Sequence, residues 1–168
     1  MRLTKIVCVG RNYVDHAKEL GNEVPKKPLI FLKPPSSVIG DEQPIRLTKL
    51  SKQVEFEGEI GIIVGERLTN ATQDQARAAI AAIAAVNDVT ARDLQKSDSQ
   101  WTRAKGFDTF CPVGVPNEAP NDLGSLQVVT RVNGVERQRA TASQMAFSIP
   151  TVLSYISKVM TLEAGDLV

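Results

Sequence analysis

Val54–Gly65 reads VEFEGEIGIIVG, and the fold turns on how this stretch is read. Apolar and acidic residues alternate with the period of a β-strand. Val54, Phe56, Ile60, Ile62 and Val64 face one way, and Glu55, Glu57 and Glu59 face the other. Carboxylates two residues apart on one strand face sit about 6–7 Å from each other. At an effective dielectric of about 20, each neighbouring pair repels by about 2.5 kcal/mol. The quick run into IGIIV predicts a central, dry strand, where solvent does little to relieve that repulsion. Positive charge is therefore expected against the acidic face, as a divalent cation or as a Lys/Arg cluster. The alternative is an edge strand with a solvated acidic face.

The 168 residues are 42% hydrophobic and 23% charged, which predicts one domain, 1–168, with a real core. A formal net charge of +1 argues against a nucleic-acid or membrane surface. No apolar run reaches the roughly 18 residues of a membrane span, and IVCVG near the start is too short for a signal peptide. Cys8 and Cys111 are too few for a disulfide framework and are expected as buried free thiols, in a cytoplasmic protein. His16 is the single histidine, and there is no Cys-x-x-Cys, which argues against zinc. A bound metal would take oxygen ligands, as Mg²⁺, Mn²⁺ or Ca²⁺ do.

Strands are expected at Lys5–Val9, Leu29–Leu32, Val38–Ile39 and Ile45–Leu47, and a short helix at Tyr13–Leu20 closed by Gly21. Lys33–Ser37, KPPSS, reads as a rigid turn that cannot be helix. Thr72-x-x-Gln75 fits a capping box, and the alanine-rich run after it predicts a helix to about Ala82. Ile83–Val89 then reads as a buried strand that delivers Asp88 at its end, and Thr90–Gln95 as a helical turn. Trp101–Pro112 has no clean period and reads as a loop. Asn133-Gly134 predicts a hairpin between Ser125–Asn133 and Val135–Ala140, and Pro150 opens a helix over Val152–Met160. Thr161–Val168 reads as a turn entering a strand.

Three groups could carry chemistry. Glu57, Glu59 and Asp88 make a donor set for a hard cation, unless Asp88 merely caps a helix at Thr90. His16 and Glu19, three apart, share a helix face and form a candidate general base with its orienting carboxylate, unless they are a weak surface pair. Lys105, between Arg103 and Asp108, could stabilise an oxyanion or be a plain solvated lysine.

GRNYVDHAKE at Gly10–Glu19, FLKPPSS at Phe31–Ser37, EFEGEIGIIVG at Glu55–Gly65 and NDVTARDLQ at Asn87–Gln95 form an ordered set. WTRAKGFDTFCPVG at Trp101–Gly114, VNGVERQ at Val132–Gln138 and the final TLEAGDLV continue it. In order and spacing, nearly the whole chain resembles the fumarylacetoacetate hydrolase family, especially its acylpyruvase-like and isomerase/decarboxylase members. The resemblance implies an α+β, β-rich fold, a mixed β-sandwich roll with short helices, and a homodimer. It implies Mg²⁺ or Mn²⁺ at Glu57, Glu59 and Asp88, with Ca²⁺ as an alternative. It matches His16 and Glu19 to a catalytic dyad, Lys105 to a substrate-contacting lysine, and Gln95, Arg11 and Asn12 to the substrate pocket. Lys33 falls in a shared signature without an assigned role. Members continue past the AGD-type turn into a Thr-Gly-Thr-Pro loop and further strands, whereas this sequence stops at Val168. The expected activity is C–C bond hydrolysis of an acylpyruvate-type β-diketo acid through an enolate stabilised at the cation. The alternatives are an oxaloacetate-type decarboxylase, a 2-hydroxyhepta-2,4-diene-1,7-dioate-type isomerase, or an inactive truncated homologue.

Overall fold

The computed structural model describes residues 3–13 and 25–168. The helix expected over Tyr13–Leu20, with His16 and Glu19, lies outside them apart from Tyr13, which forms an isolated bridge to Met145. β1 (Ile6–Gly10) and β2 (Leu29–Lys33) make an antiparallel ribbon with Ile6 opposite Lys33. The KPPSS turn does contain a helical element, a single 3-10 turn at Pro35–Ser37. Proline is tolerated there because the first N–H groups of a helix have no partner inside it. β3 (Val38–Ile39) follows. No strand forms at residues 45–47, where Ile45 and Leu47 are exposed and Arg46 N–H is held by Thr109 Oγ1 instead (2.8 Å).

The acidic stretch is two strands, β4 (Val54–Glu55) and β5 (Gly58–Val64). α1 (Gln73–Ala78) carries the expected reciprocal capping box between Thr72 and Gln75. It ends four residues before the expected Ala82, because β6 (Ile80–Asn87) pairs antiparallel with the whole of β5. Sheet pairing overrides alanine's helix propensity here. β7 (Thr90–Ala91) pairs with β4 and leads into α2 (Arg92–Ser97). Residues 101–112 are not simply a loop: they hold α3 (Thr102–Lys105) and β8 (Cys111–Pro112), the latter parallel to β3. β9 (Gln127–Val132) and β10 (Val135–Thr141) form the expected hairpin, with positive φ at Asn133 (51°) and Gly134 (78°). That pair of left-handed residues suits the twist of the flanking strands. α4 (Ile149–Val159) is capped by Ser148, with Pro150 in its first turn.

Residues 166–168 run between β1 and β5. Val7 N–H donates to Leu167 O (2.9 Å), while Ile62 and Val168 exchange both backbone hydrogen bonds (2.7 and 2.9 Å). The ribbon order is therefore β2, β1, residues 166–168, β5, β6, continued by residues 113–117 bridged to β6. α4 and α1 cover one face. Val7, Ile62, Val64, Leu153, Ile156 and Leu162 bury there as the main core. A smaller cluster of Val89, Ala91, Leu94, Ala104 and Phe110 supports α2 and α3. Cys8 and Cys111 are free thiols; Cys111 is buried as expected and Cys8 is partly exposed. No described helix is long and apolar enough to cross a membrane.

Candidate functional site

The break between β4 and β5 builds the site. A Cβ on Gly58 would lie 2.0 Å from Thr130 Oγ1, so only glycine admits the hairpin at this point. Gln138 on β10 then accepts from Gly58 N–H (2.9 Å) and donates to Gly58 O (2.7 Å). Glu57 and Glu59 flank this clamped glycine, and both line one cavity of about 500 Å³. Across from them Asp88 N–H donates to Glu57 O (2.8 Å), which brings Asp88 into the same cavity.

Asp88 does not cap a helix. Its Oδ1 accepts from Lys33 Nζ (2.6 Å) and its Oδ2 from Lys105 Nζ (2.5 Å). Lys105 also donates to Glu57 Oε2 (2.9 Å), whose Oε1 lies 2.6 Å from Arg92 Nη2. Arg92 Nε donates to Glu55 Oε2 (2.8 Å). Charges thus alternate along one line: Lys33, Asp88, Lys105, Glu57, Arg92, Glu55. Lys105 and Lys33 are each only 2% exposed, so Lys105 is no solvated lysine. Burial raises the Glu57 carboxyl, but Lys105 and Arg92 outweigh it and hold it below the usual carboxylate range. Burial likewise lowers the Lys105 ammonium, and Asp88 and Glu57 more than offset that.

Glu59 has no such partner. Its carboxylate makes no hydrogen bond among the described residues, and burial with repulsion from Glu57 and Asp88 pushes it up to about 8. Beside it the Tyr13 hydroxyl is buried with no hydrogen-bond partner among the described residues, and burial, then Glu59, hold it above its ordinary range.

The other expected residues divide. Gln95 lines the cavity and accepts from Arg92 Nη1 (2.5 Å). Arg11 lines it too, exposed and at positive φ (57°). Asn12 also lines it, but its side chain donates to Phe147 O (3.0 Å) and accepts from Phe147 N–H (2.9 Å), so its amide is already engaged in holding backbone. Three residues without an assigned role belong to the site: Lys33, Arg92 and Gln138. The repulsion along the acidic strand, which called for a dication or a Lys/Arg cluster unless the strand were a solvated edge, is answered by Arg92 at Glu55 and Glu57, whereas Lys33 pairs with Asp88.

For a metal, the chemistry of the donors fits a hard cation: three carboxyl groups and no described histidine. Among the described residues, Glu59 in particular has no cation paired to it. As positioned, the Lys105 ammonium stands between Glu57 and Asp88, and no group of three His, Cys, Asp or Glu among the described residues is gathered to hold an ion.

Comparison with known proteins agrees with this architecture. The Mycobacterium tuberculosis protein Rv2993c is 47% identical over 98% of this chain, which spans 63% of that protein. The mitochondrial oxaloacetate decarboxylase of Dictyostelium discoideum is 40% identical and the mitochondrial oxaloacetate tautomerase of Arabidopsis thaliana 41%, each over 98% of this chain and over 78% and 77% of their own lengths. The 2-hydroxyhepta-2,4-diene-1,7-dioate isomerase of Mycobacterium marinum superposes with a TM-score of 0.88 at 44% identity, covering 98% of this chain and 62% of that one. The fumarylpyruvate hydrolase of Pseudomonas aeruginosa, solved with Mn²⁺ and pyruvate, gives 0.88 at 26% identity, covering 98% and 76%. A family model described as fumarylacetoacetate (FAA) hydrolase C-terminal matches residues 5–168, and the chain belongs to the fumarylacetoacetate hydrolase family.

Proposed function

We propose that the protein interconverts the keto and enol forms of a short 2-oxo acid carrying a second carboxyl or carbonyl group, oxaloacetate being the first candidate. One observation carries this reading: the buried Lys105 ammonium lines the cavity, and its two carboxylate partners, Glu57 and Asp88, leave it a third N–H for the oxygen of an anionic oxo acid or its enolate. The oxaloacetate decarboxylase and tautomerase among the relatives favour this substrate class. A divalent cation, Mg²⁺ or Mn²⁺, would be held by Glu57, Glu59 and Asp88; when bound it supplies Lewis-acid polarisation of the 2-oxo group. Lys105 stabilises negative charge that develops on the substrate oxygen. Arg92, already close to Gln95, orients the substrate from the side of α2. His16 with Glu19, assigned by the sequence motif alone, moves the proton to or from C3. The apolar wall of Ile60, Val152 and Leu153 limits water around the reacting carbon.

C–C bond hydrolysis of an acylpyruvate is the second reading, favoured by the likeness to the fumarylpyruvate hydrolase structure. There His16 would deprotonate water for attack on the distal carbonyl. The test is to follow loss of the oxaloacetate enol, pyruvate formation from oxaloacetate, and acylpyruvate cleavage, each with EDTA and with Mn²⁺. Metal-dependent enol loss supports the first reading, and metal-dependent cleavage of acylpyruvate alone supports the second. Activity in EDTA equal to that with Mn²⁺ would sink the metal assignment in both.

A further inference from the structure

Lys105 has three N–H donors, and two carboxylates take two of them. An aromatic face covers another side of the ammonium. Lys105 Nζ lies over the Phe31 ring, 5.3 Å from its centroid, within the reach of a cation–π contact. Phe31 and Lys33 are two apart on β2, so the pleat turns both toward the same charged line. The Phe31 ring is itself held edge-on by Trp101, with centroids 5.2 Å apart and planes at 79°. Trp101 in turn rests on bare backbone: a Cβ on Gly10 would come within 2.7 Å of its indole. Trp101 also opens α3, and its carbonyl accepts from Lys105 N–H (2.9 Å). It therefore meets Lys105 by two routes, one turn of backbone and one aromatic ring.

We infer that Phe31 and Trp101 are positioning residues for Lys105, with Gly10 providing the seat. The indole edge sets the tilt of Phe31, and the Phe31 face keeps the ammonium from swinging away from the cavity. This rests on the reading of Lys105 as the group that meets the substrate, but the contact chain itself is testable without turnover.

The experiment compares Phe31→Leu, Phe31→Tyr, Trp101→Leu, Trp101→Phe and Lys105→Met, with the Phe31→Leu/Trp101→Leu and Phe31→Leu/Lys105→Met doubles. Kinetics are read with oxaloacetate and Mn²⁺. Phe31→Leu should lower kcat about tenfold with KM within about twofold, since it leaves the substrate-binding groups in place. Phe31→Tyr and Trp101→Phe should restore most of the loss. Trp101→Leu should add less than about twofold in the Phe31→Leu background, because it acts through the same ring. Multiplying effects, or a loss confined to KM, would overturn the relay.

Thermal midpoints decide the contact independently. Phe31→Leu should lower the midpoint by about 4 °C when Lys105 is present and by clearly less in Lys105→Met. Equal shifts in the two backgrounds overturn the proposal even if the protein proves to have another substrate. An inactive wild-type protein with coupled midpoints would instead refute the assigned reaction and leave the relay standing. Trp101 is the only tryptophan, so its emission maximum reports whether the Phe31 and Lys105 variants and their double keep the indole in place.

Discussion

The side-chain amide of Gln138 accepts from the N–H of Gly58 and donates to its carbonyl, and Gly58 is the residue between Glu57 and Glu59. A hairpin distant in sequence thereby sets the spacing of two acidic groups. Replacing Gln138 with Leu strips both partners from a buried glycine, at about 1–3 kcal/mol for each orphaned group. A fall in melting temperature of at least about 4 °C is expected, together with weaker stabilisation by Mn²⁺. Gly58→Ala should be at least as damaging, because its methyl would collide with Thr130. A Gln138→Leu protein as stable and as responsive to Mn²⁺ as wild type would refute the clamp.

Lys33 and Asp88 form a buried pair, and urea denaturation should show how far each depends on the other. Lys33→Met alone leaves Asp88 with one cation fewer, and Asp88→Asn alone leaves Lys33 with no acidic partner among the described residues. Each should cost about 3–5 kcal/mol. The double variant should lose less than the sum by at least about 1 kcal/mol. Strict additivity would mean that the two charges do not see each other.

Glu59 should give the protein a stability that falls as pH rises. Its carboxyl is pushed up to about 8 in the folded state, against about 4.3 in an unfolded chain. Between those values the folded form holds the extra proton, so this group's contribution is complete below pH of about 4 and is lost as pH rises toward 8. In EDTA, the melting temperature should fall between pH 5 and 8, at up to about 1.4 kcal/mol per pH unit. Glu59→Gln should flatten that slope. A wild-type slope of the opposite sign, or one unchanged in Glu59→Gln, would show that Glu59 is already ionised.

Tyr13 offers a simpler test. Its hydroxyl is buried without a partner among the described residues, so Tyr13→Phe removes a polar atom that none of them compensates. The variant should melt at or slightly above the wild-type temperature in EDTA. A loss above about 1 kcal/mol would reveal a hydrogen bond that stabilises the fold.

The legible parts of this molecule were the local ones. Alternation marked the acidic strand, Asn133-Gly134 marked the hairpin, and Thr72 with Gln75 marked a helix start. The break after Glu55 was not legible, because the backbone just beyond it is held by long-range partners, Gln138 lying 80 residues from Gly58. The alanine run misled for a related reason: its partner β5 decides its state, and helix propensity does not see partners. Electrostatics did better than pattern. Repulsion among Glu55, Glu57 and Glu59 called for positive charge unless the strand were a solvated edge, and Arg92 and Lys105 supply it to Glu55 and Glu57, although no local signal singled out Arg92. Whether a dication joins them is the question that the Mn²⁺ experiments address.

The threading of residues 166–168 between β1 and β5 bears on how the protein is made. Asp166, fully buried, accepts from the backbone N–H of Thr4 and of Lys5, residues separated from it by 162 and 161 positions. On the ribosome the first strand emerges long before the segment that joins it to the acidic strand. Until that segment leaves the exit tunnel, β1 and β5 lack the ribbon that bonds to both. Closure of the sheet is therefore a late, long-range event, and the nascent chain must keep two sticky strands from straying while it waits.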